Sequence, residues 1–257
     1  MPPPILTLTT DFGLSDHYVG SMKGVILGLC PHAQLVDISH QVSPYAIAEG
    51  AFLIAQAYRS FPRRTVHVVV VDPGVGSGRR PILMEAAGQY FVGPDNGVLA
   101  MIFAREKHKV RQISNQRYFR QPVSQTFHGR DIFAPVAAHL ASGVAPSRMG
   151  KIVTDYVRPP FERPRQTGAR TWTGQVLKVD HFGNVITNFH AVDFPALEQM
   201  TIGRAKARRL VRSYAEARAG ELVAIAGSSG YLEVSLNQGS AAKKVGCQSG
   251  EACHIRV

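Results

Sequence analysis

The stretch His67-Val68-Val69-Val70-Val71-Asp72-Pro73-Gly74-Val75-Gly76-Ser77-Gly78-Arg79-Arg80 decides how this chain is read. Four consecutive valines suit a strand covered on both faces, and such strands belong to parallel sheets flanked by helices. Ligands of open α/β sheets bind just outside the carboxyl ends of these strands, where Asp72 falls. Pro73 fixes φ and the glycines allow left-handed backbone and close approach, so the loop is shaped rather than slack. A surface turn capped by Asp72 is the other reading that the stretch alone permits.

Working outward, Ile5 to Thr10 reads as a strand, Tyr18 to Leu29 as a helix, Leu35 to Ser39 as a strand, Ala46 to Ser60 as a helix and Thr65 to Val71 as a strand. This βαβαβ alternation predicts an α/β/α layered domain with a mostly parallel sheet. It puts Asp11 and Asp72 at the carboxyl ends of strands in one sheet, able to share a crevice. Pro81 to Ala86 and Gln89 to Val92 read as a hairpin, followed by the turn Gly93-Pro94-Asp95-Asn96-Gly97 and a further helix. Later, Phe127-His128-Gly129-Arg130-Asp131 precedes an apolar helical stretch, Ile132 to Leu140. Asp131 is expected there as a helix cap with Arg130 as its surface partner. His128, between an aromatic and a glycine, is the harder residue to explain structurally.

The pattern changes after a Pro- and Arg-rich stretch. The predicted organisation is an N-terminal α/β domain over residues 1–157, a linker over 158–171 and a small all-β, barrel-like domain over 172–257. Thr173 to Val179, Gly203 to Tyr214, Glu221 to Ala226 and Tyr231 to Leu236 are the strands expected in the last. Within it, Asp180-His181-Phe182-Gly183-Asn184 and Gly227-Ser228-Ser229-Gly230 are polar turns. The first offers a carboxylate, an aromatic face and an amide within five residues, the set that holds a heteroaromatic base and a charged amine. A plain hairpin loop is its simpler reading.

Composition narrows the function classes. The 257 residues are 45% hydrophobic and 18% charged, and no apolar run approaches the roughly 20 residues that span a bilayer. The first residues lack a basic and apolar leader pattern, so a cytoplasmic location is expected. Cys30, Cys247 and Cys253 form no CxxC pair, and the ten histidines form no HExxH, which predicts neither a disulfide framework nor a transition-metal site. The formal charge of +11 favours polyanions, but no nucleic-acid recognition motif accompanies the basic clusters, so no specific nucleic-acid partner is expected.

Thr10-Asp11-Phe12-Gly13, Ser43-Pro44-Tyr45, Val71-Asp72-Pro73-Gly74-Val75-Gly76, Gly93-Pro94-Asp95-Asn96-Gly97, Phe127-His128-Gly129-Arg130-Asp131 and Asp180-His181-Phe182-Gly183-Asn184 occur in this order. In their order and spacing the chain resembles the S-adenosyl-L-methionine hydroxide adenosyltransferase family, relatives of the fluorinating and chlorinating adenosyl enzymes. The resemblance spans nearly the whole chain. It implies attack of water or hydroxide on C5′ of S-adenosylmethionine, giving adenosine and L-methionine without a cofactor. It implies a homotrimer whose substrate lies between the N-terminal domain of one subunit and the C-terminal domain of a neighbour.

By this resemblance Asp72, Arg79 and His128 form the hydrolytic triad. Asp11 takes the ribose hydroxyls, and Tyr45 packs on the sugar or base. Phe182 and Asn184 meet the adenine, while Asp16, Asp180 and Ser228, with Glu233 as a further candidate, address the methionine end. The halogenating relatives carry a tyrosine in place of Asp72 and a serine in place of Gly129, which ranks halide-dependent adenosyl transfer below hydrolysis. A basic, non-catalytic nucleotide- or RNA-binding protein is the alternative from a different class.

Overall fold

A computed structural model describes residues 2–159 and 163–257, and the chain divides into two compact units, Met1–Pro160 and Phe161–Val257. The first unit runs β1 (Ile5–Thr10), α1 (Tyr18–Leu29), β2 (Gln34–Ser39), α2 (Ile47–Ala57), β3 (Val66–Val70), β4 (Pro81–Ala86), β5 (Gln89–Pro94), α3 (Ala100–Phe103), β6 (His108–Gln112) and α4 (Ala134–Ala141). Its six-stranded sheet has the order β2-β1-β3-β5-β4-β6. The pairs β1–β2, β1–β3 and β3–β5 are parallel, and β4 is antiparallel to both β5 and β6.

Every residue of β3 is buried, as expected of a strand covered on both faces. Alternation then divides the sheet's side chains between two layers. Leu6, Leu8, Val66, Val68 and Val70 join a core with Met22 and Ile26 of α1 and Val136, Ala137 and Leu140 of α4. On the other face α2 approaches so closely that a Cβ on Gly50 would stand 2.8 Å from Val71 Cγ2. Because β1 leads through α1 to β2 on one side, and β2 through α2 to β3 on the other, strand order reverses between β1 and β3. At such a switch point open α/β sheets bind their ligands, here at the carboxyl ends of two strands paired as Thr10 with Val70.

Two local expectations are corrected and one strand is added. Strand β6, an edge strand of mostly polar residues, carries no apolar alternation by which to read it. Residues Gly129–Phe133 form a π-helical turn before α4, so the regular helix begins later than Ile132. Asp131 does not cap this element: its side chain is fully buried and bonded to arginines.

The second unit comprises β7 (Arg165–Gly168), β8 (Thr171–Val179), β9 (Val185–His190), β10 (Gln199–Ile202), β11 (Ala205–Ala207), β12 (Leu210–Val211), β13 (Leu222–Ala226), β14 (Tyr231–Leu236), α5 (Ala241–Val245) and β15 (Ala252–Arg256). Strand order is β11-β10-β15-β8-β9-β14-β13-β12, with β7 pairing β8. Contact between β11 and β13 nearly closes the sheet into a barrel. Phe189, Phe194, Met200, Leu232, Val234 and Ile255 fill its interior. The single strand expected over Gly203 to Tyr214 is two short ones, because Arg208 and Arg209 interrupt the apolar alternation. Of the expected linker, residues 160–162 lie outside the described residues, and Arg165–Gly168 is already strand.

Candidate active site

Two loops converge in the first unit. Residues 72–79 leave β3 at the switch point, and residues 125–128 lead into the π-helical turn. Gly76 permits the meeting: at φ +77° it packs so tightly that a Cβ would collide with the carbonyl oxygen of Gln125. An L side chain is excluded there both by conformation and by space.

Arg79 joins the two loops. Its Nε donates to Asp72 Oδ1 at 2.9 Å, and its Nη2 donates to Asp72 Oδ2 and, at 2.7 Å, to His128 Nδ1. The Arg79 and Asp72 side chains are only 9% and 4% exposed, which sets this pair apart from a solvated surface ion pair. Nη1 of Arg79 is buried without a partner among the described residues, and the guanidinium lies 5.3 Å from the centroid of the Phe133 ring. Since Nδ1 of His128 receives a guanidinium hydrogen, the neutral imidazole carries its proton on Nε2. Burial, reinforced by the charge of Arg79, pushes the His128 pKa below the ordinary value, with Asp72 and Asp131 opposing.

Asp131 anchors the second loop. It accepts from Arg130 Nε at 2.7 Å, Ser124 N at 2.9 Å and Arg120 Nη1 at 3.2 Å. Burial would raise its pKa, but these bonds and the arginine charges hold it below the ordinary value. Arg80, the neighbour of Arg79, is engaged elsewhere, with Asp95 and Asp155.

Asp11 sits one residue past β1. Its Oδ2 accepts from Tyr45 N at 2.9 Å and holds Tyr45 at φ +67°, with the ring 72% exposed. Asp16 is exposed in the bend before α1, a helix that has no side-chain cap bond. Phe12, Tyr18 and Phe127 form an aromatic wall that sequence does not distinguish, because these residues read equally well as core. It encloses Gly129, where a Cβ would stand 3.1 Å from Met22 Sδ, 3.3 Å from Phe127 and 3.4 Å from Phe12.

The second unit gathers the remaining candidates at turns. Asp180 accepts from both the backbone and the side-chain nitrogen of Asn184, each at 2.8 Å, which fixes the turn that carries Phe182, 75% exposed. Ser228 is exposed in the turn between β13 and β14. Glu233 is buried, and its Oε1 accepts from Tyr214 at 2.6 Å and Ser235 at 3.3 Å. Burial pushes the Glu233 pKa up, the Tyr214 bond opposes this and the charge of Asp180 adds to it. Tyr214 is pushed up to about 12 by burial and by Glu233. No sequence pattern marks Tyr214 as a partner of Glu233.

Family models match over two long segments: the SAM hydroxide adenosyltransferase N-terminal domain over residues 6–150 and the corresponding C-terminal domain over residues 174–254. The chain is 38% identical to an (R)-S-adenosyl-L-methionine hydrolase of Salinispora tropica, over 99% of this chain and 98% of the relative. It is 28% identical to a fluorinase of Nocardia brasiliensis, over 99% and 97%. The crystal structure of a conserved protein from Thermotoga maritima matches with a TM-score of 0.91 at 37% identity, over 98% of this chain and all of that one.

Proposed function

The chain belongs to the SAM hydroxide adenosyltransferase family, and on that premise we propose that it hydrolyses S-adenosyl-L-methionine to adenosine and L-methionine by attack of a water-derived hydroxide on C5′ of the ribose. The observation that carries this reading is the bridging of Asp72 and His128 by Arg79 at the switch point of the sheet.

Methionine departs from the sulfonium as a neutral thioether, so the leaving group needs no general acid. Catalysis reduces to aiming and stabilising the nucleophile. Both oxygens of Asp72 are engaged by Arg79, and Nδ1 of His128 is engaged as well. Among the described residues Nη1 of Arg79 is left without a partner, and with Nδ1 of His128 taken up by Arg79 the imidazole offers Nε2–H as its donor. Two donors beside a guanidinium charge favour hydroxide over water, whose proton is released to solvent; they hold two lone pairs of the hydroxide, and the third attacks C5′ in line with the C5′–S bond, whose electron pair leaves on the methionine sulfur.

In this reading Asp11 accepts the ribose hydroxyls and Tyr45 covers the sugar. Phe182 stacks on adenine and Asn184 bonds to its edge, while Asp16, Asp180, Ser228 and Glu233 face the methionine end. These residues fall in both units, which supports the homotrimer implied by the resemblance, and we place the enzyme in the cytoplasm. Halide transfer is the weaker reading: a serine at position 129 would press on Met22, Phe127 and Phe12. Incubation with S-adenosylmethionine and chromatography of the products tests the proposal. Adenosine and methionine should accumulate in equal amounts, and no adenosine at any pH from weakly acidic to alkaline would refute it.

A further inference from the structure

The turn Asp95-Asn96 holds both ends of the loop that carries Asp72 and Arg79. Asn96 Nδ2 donates at 2.8 Å to the carbonyl of Val71, the residue before Asp72, and Asn96 Oδ1 accepts from Val98 N at 3.1 Å. The carboxamide therefore cannot rotate without losing bonds. Asp95 N donates at 2.8 Å to the carbonyl of Arg80, the residue after Arg79. Asp95 Oδ2 accepts from Arg80 Nε at 3.0 Å and Nη2 at 2.7 Å, while Oδ1 accepts from Val157 N at 2.8 Å. Arg80 completes the clamp on Asp155, donating to its carboxylate and its carbonyl, both at 2.9 Å.

Between these ends the loop is closed by the Asp72–Arg79 pair itself and by short-range bonds. The short-range bonds are Val75 N to Asp72 O, Ser77 N and Ser77 Oγ to Gly74 O, and Arg79 N to Ser77 Oγ, and with three glycines in the backbone the loop depends on its ends for a fixed span. β3 and β5 run parallel and are paired as far as Val68 opposite Val92, so the chain leaving β5 follows the same direction as the chain leaving β3, and Asn96 reaches the Val71 carbonyl. We infer that Asp95 and Asn96 are positioning residues: by fixing the carbonyls of Val71 and Arg80 they set the span across which Arg79 reaches both Asp72 and His128. The inference rests on the reading of these three side chains as the reaction centre.

Two measurements test it on the full-length protein. The first is kcat per adenosine-binding site, with sites counted by calorimetric titration. The second needs no turnover: the imidazole nitrogen shifts of His128, assigned by comparison with His128→Gln. Asn96→Asp keeps the shape of the side chain but turns an oxygen toward the Val71 carbonyl. It should lower kcat per site by about tenfold to a hundredfold, the loss expected of an ångström-scale misplacement, with KM changed less than about threefold. Its His128 Nδ1 resonance should move as the Arg79 bond weakens. Asp95→Asn, which loses charge but keeps an acceptor for Val157, should fall between wild type and Asn96→Asp, and it carries the same test if Asn96→Asp does not fold. A purely structural role would reduce the number of binding sites and leave kcat per site and the His128 shift unchanged; that result would overturn the inference. A wild-type protein that makes no adenosine, yet whose His128 signal responds to Asn96→Asp, would refute the hydrolase reading and still support the clamp.

Discussion

Nη2 of Arg79 and Nδ1 of His128 lie 2.7 Å apart although 49 positions separate them in the chain. The guanidinium can only donate, so this bond exists only while Nδ1 of the imidazole is unprotonated. Adding a proton at Nδ1 breaks the bond and sets two cations side by side.

Activity should therefore fall on the acid side as His128 becomes charged. Burial and Arg79 place the folded-state pKa below the ordinary 6.5, so the limb should be centred below that value. On the alkaline side the rate should hold or rise, because hydroxide becomes more available and the thioether needs no proton. A pH profile of kcat/KM, repeated for His128→Gln, checks this; an acid limb unchanged in the variant would show that another group titrates.

Arg79→Lys should lose activity nearly as completely as Arg79→Ala. One ammonium cannot reproduce the fork that spans two carboxylate oxygens and an imidazole. Arg80 is committed to Asp95 and Asp155 and does not replace it. We expect kcat to drop by roughly a hundredfold or more, with adenosine affinity changed only severalfold. Steady-state kinetics beside adenosine titration make the comparison, and near-normal turnover by Arg79→Lys would remove the bridging role.

Subunit mixing tests the trimer. Asp72→Ala and Asn184→Ala proteins should each be poor enzymes, and mixtures prepared under conditions of subunit exchange should regain part of the activity. A protein that is monomeric by light scattering while turning over substrate would rule out a shared site.

Acid should also weaken the fold through His67. This side chain is buried in β3, stacked on Phe91 at 4.7 Å and bonded to Thr7 Oγ1 at 2.7 Å, and burial lowers its pKa to about 4. Between pH 6.5 and 4 the unfolded chain binds a proton that the folded chain does not, so stability declines as pH falls through that window and levels off below it. The drop attributable to this group is on the order of 3 kcal/mol. Urea unfolding of wild type and His67→Leu at pH 7 and pH 4.5 measures it; an equal pH dependence in both would assign the effect to other groups.

Local pattern alone determined much of this protein. The valine run at 68–71, the strand–helix alternation before it and the shift to short strands after residue 171 are readable because hydrophobic periodicity is a property of neighbours in sequence. The residue types at 72, 79 and 128 and the order of the glycine-rich motifs point to the family without reference to any contact. Tertiary structure decided what those residues do to one another. Strand order places the reversal between β1 and β3, and Gly76 lets a distant carbonyl come close enough to set His128 against Arg79. The choice between Arg79 and Arg80 and the grip of Asn96 on Val71 depend on partners 25 to 75 positions away, and Asp131 is held in part by Arg120, 11 positions away. No local signal encodes such pairings: they follow from sheet register and close packing, which exist only once the whole chain has folded.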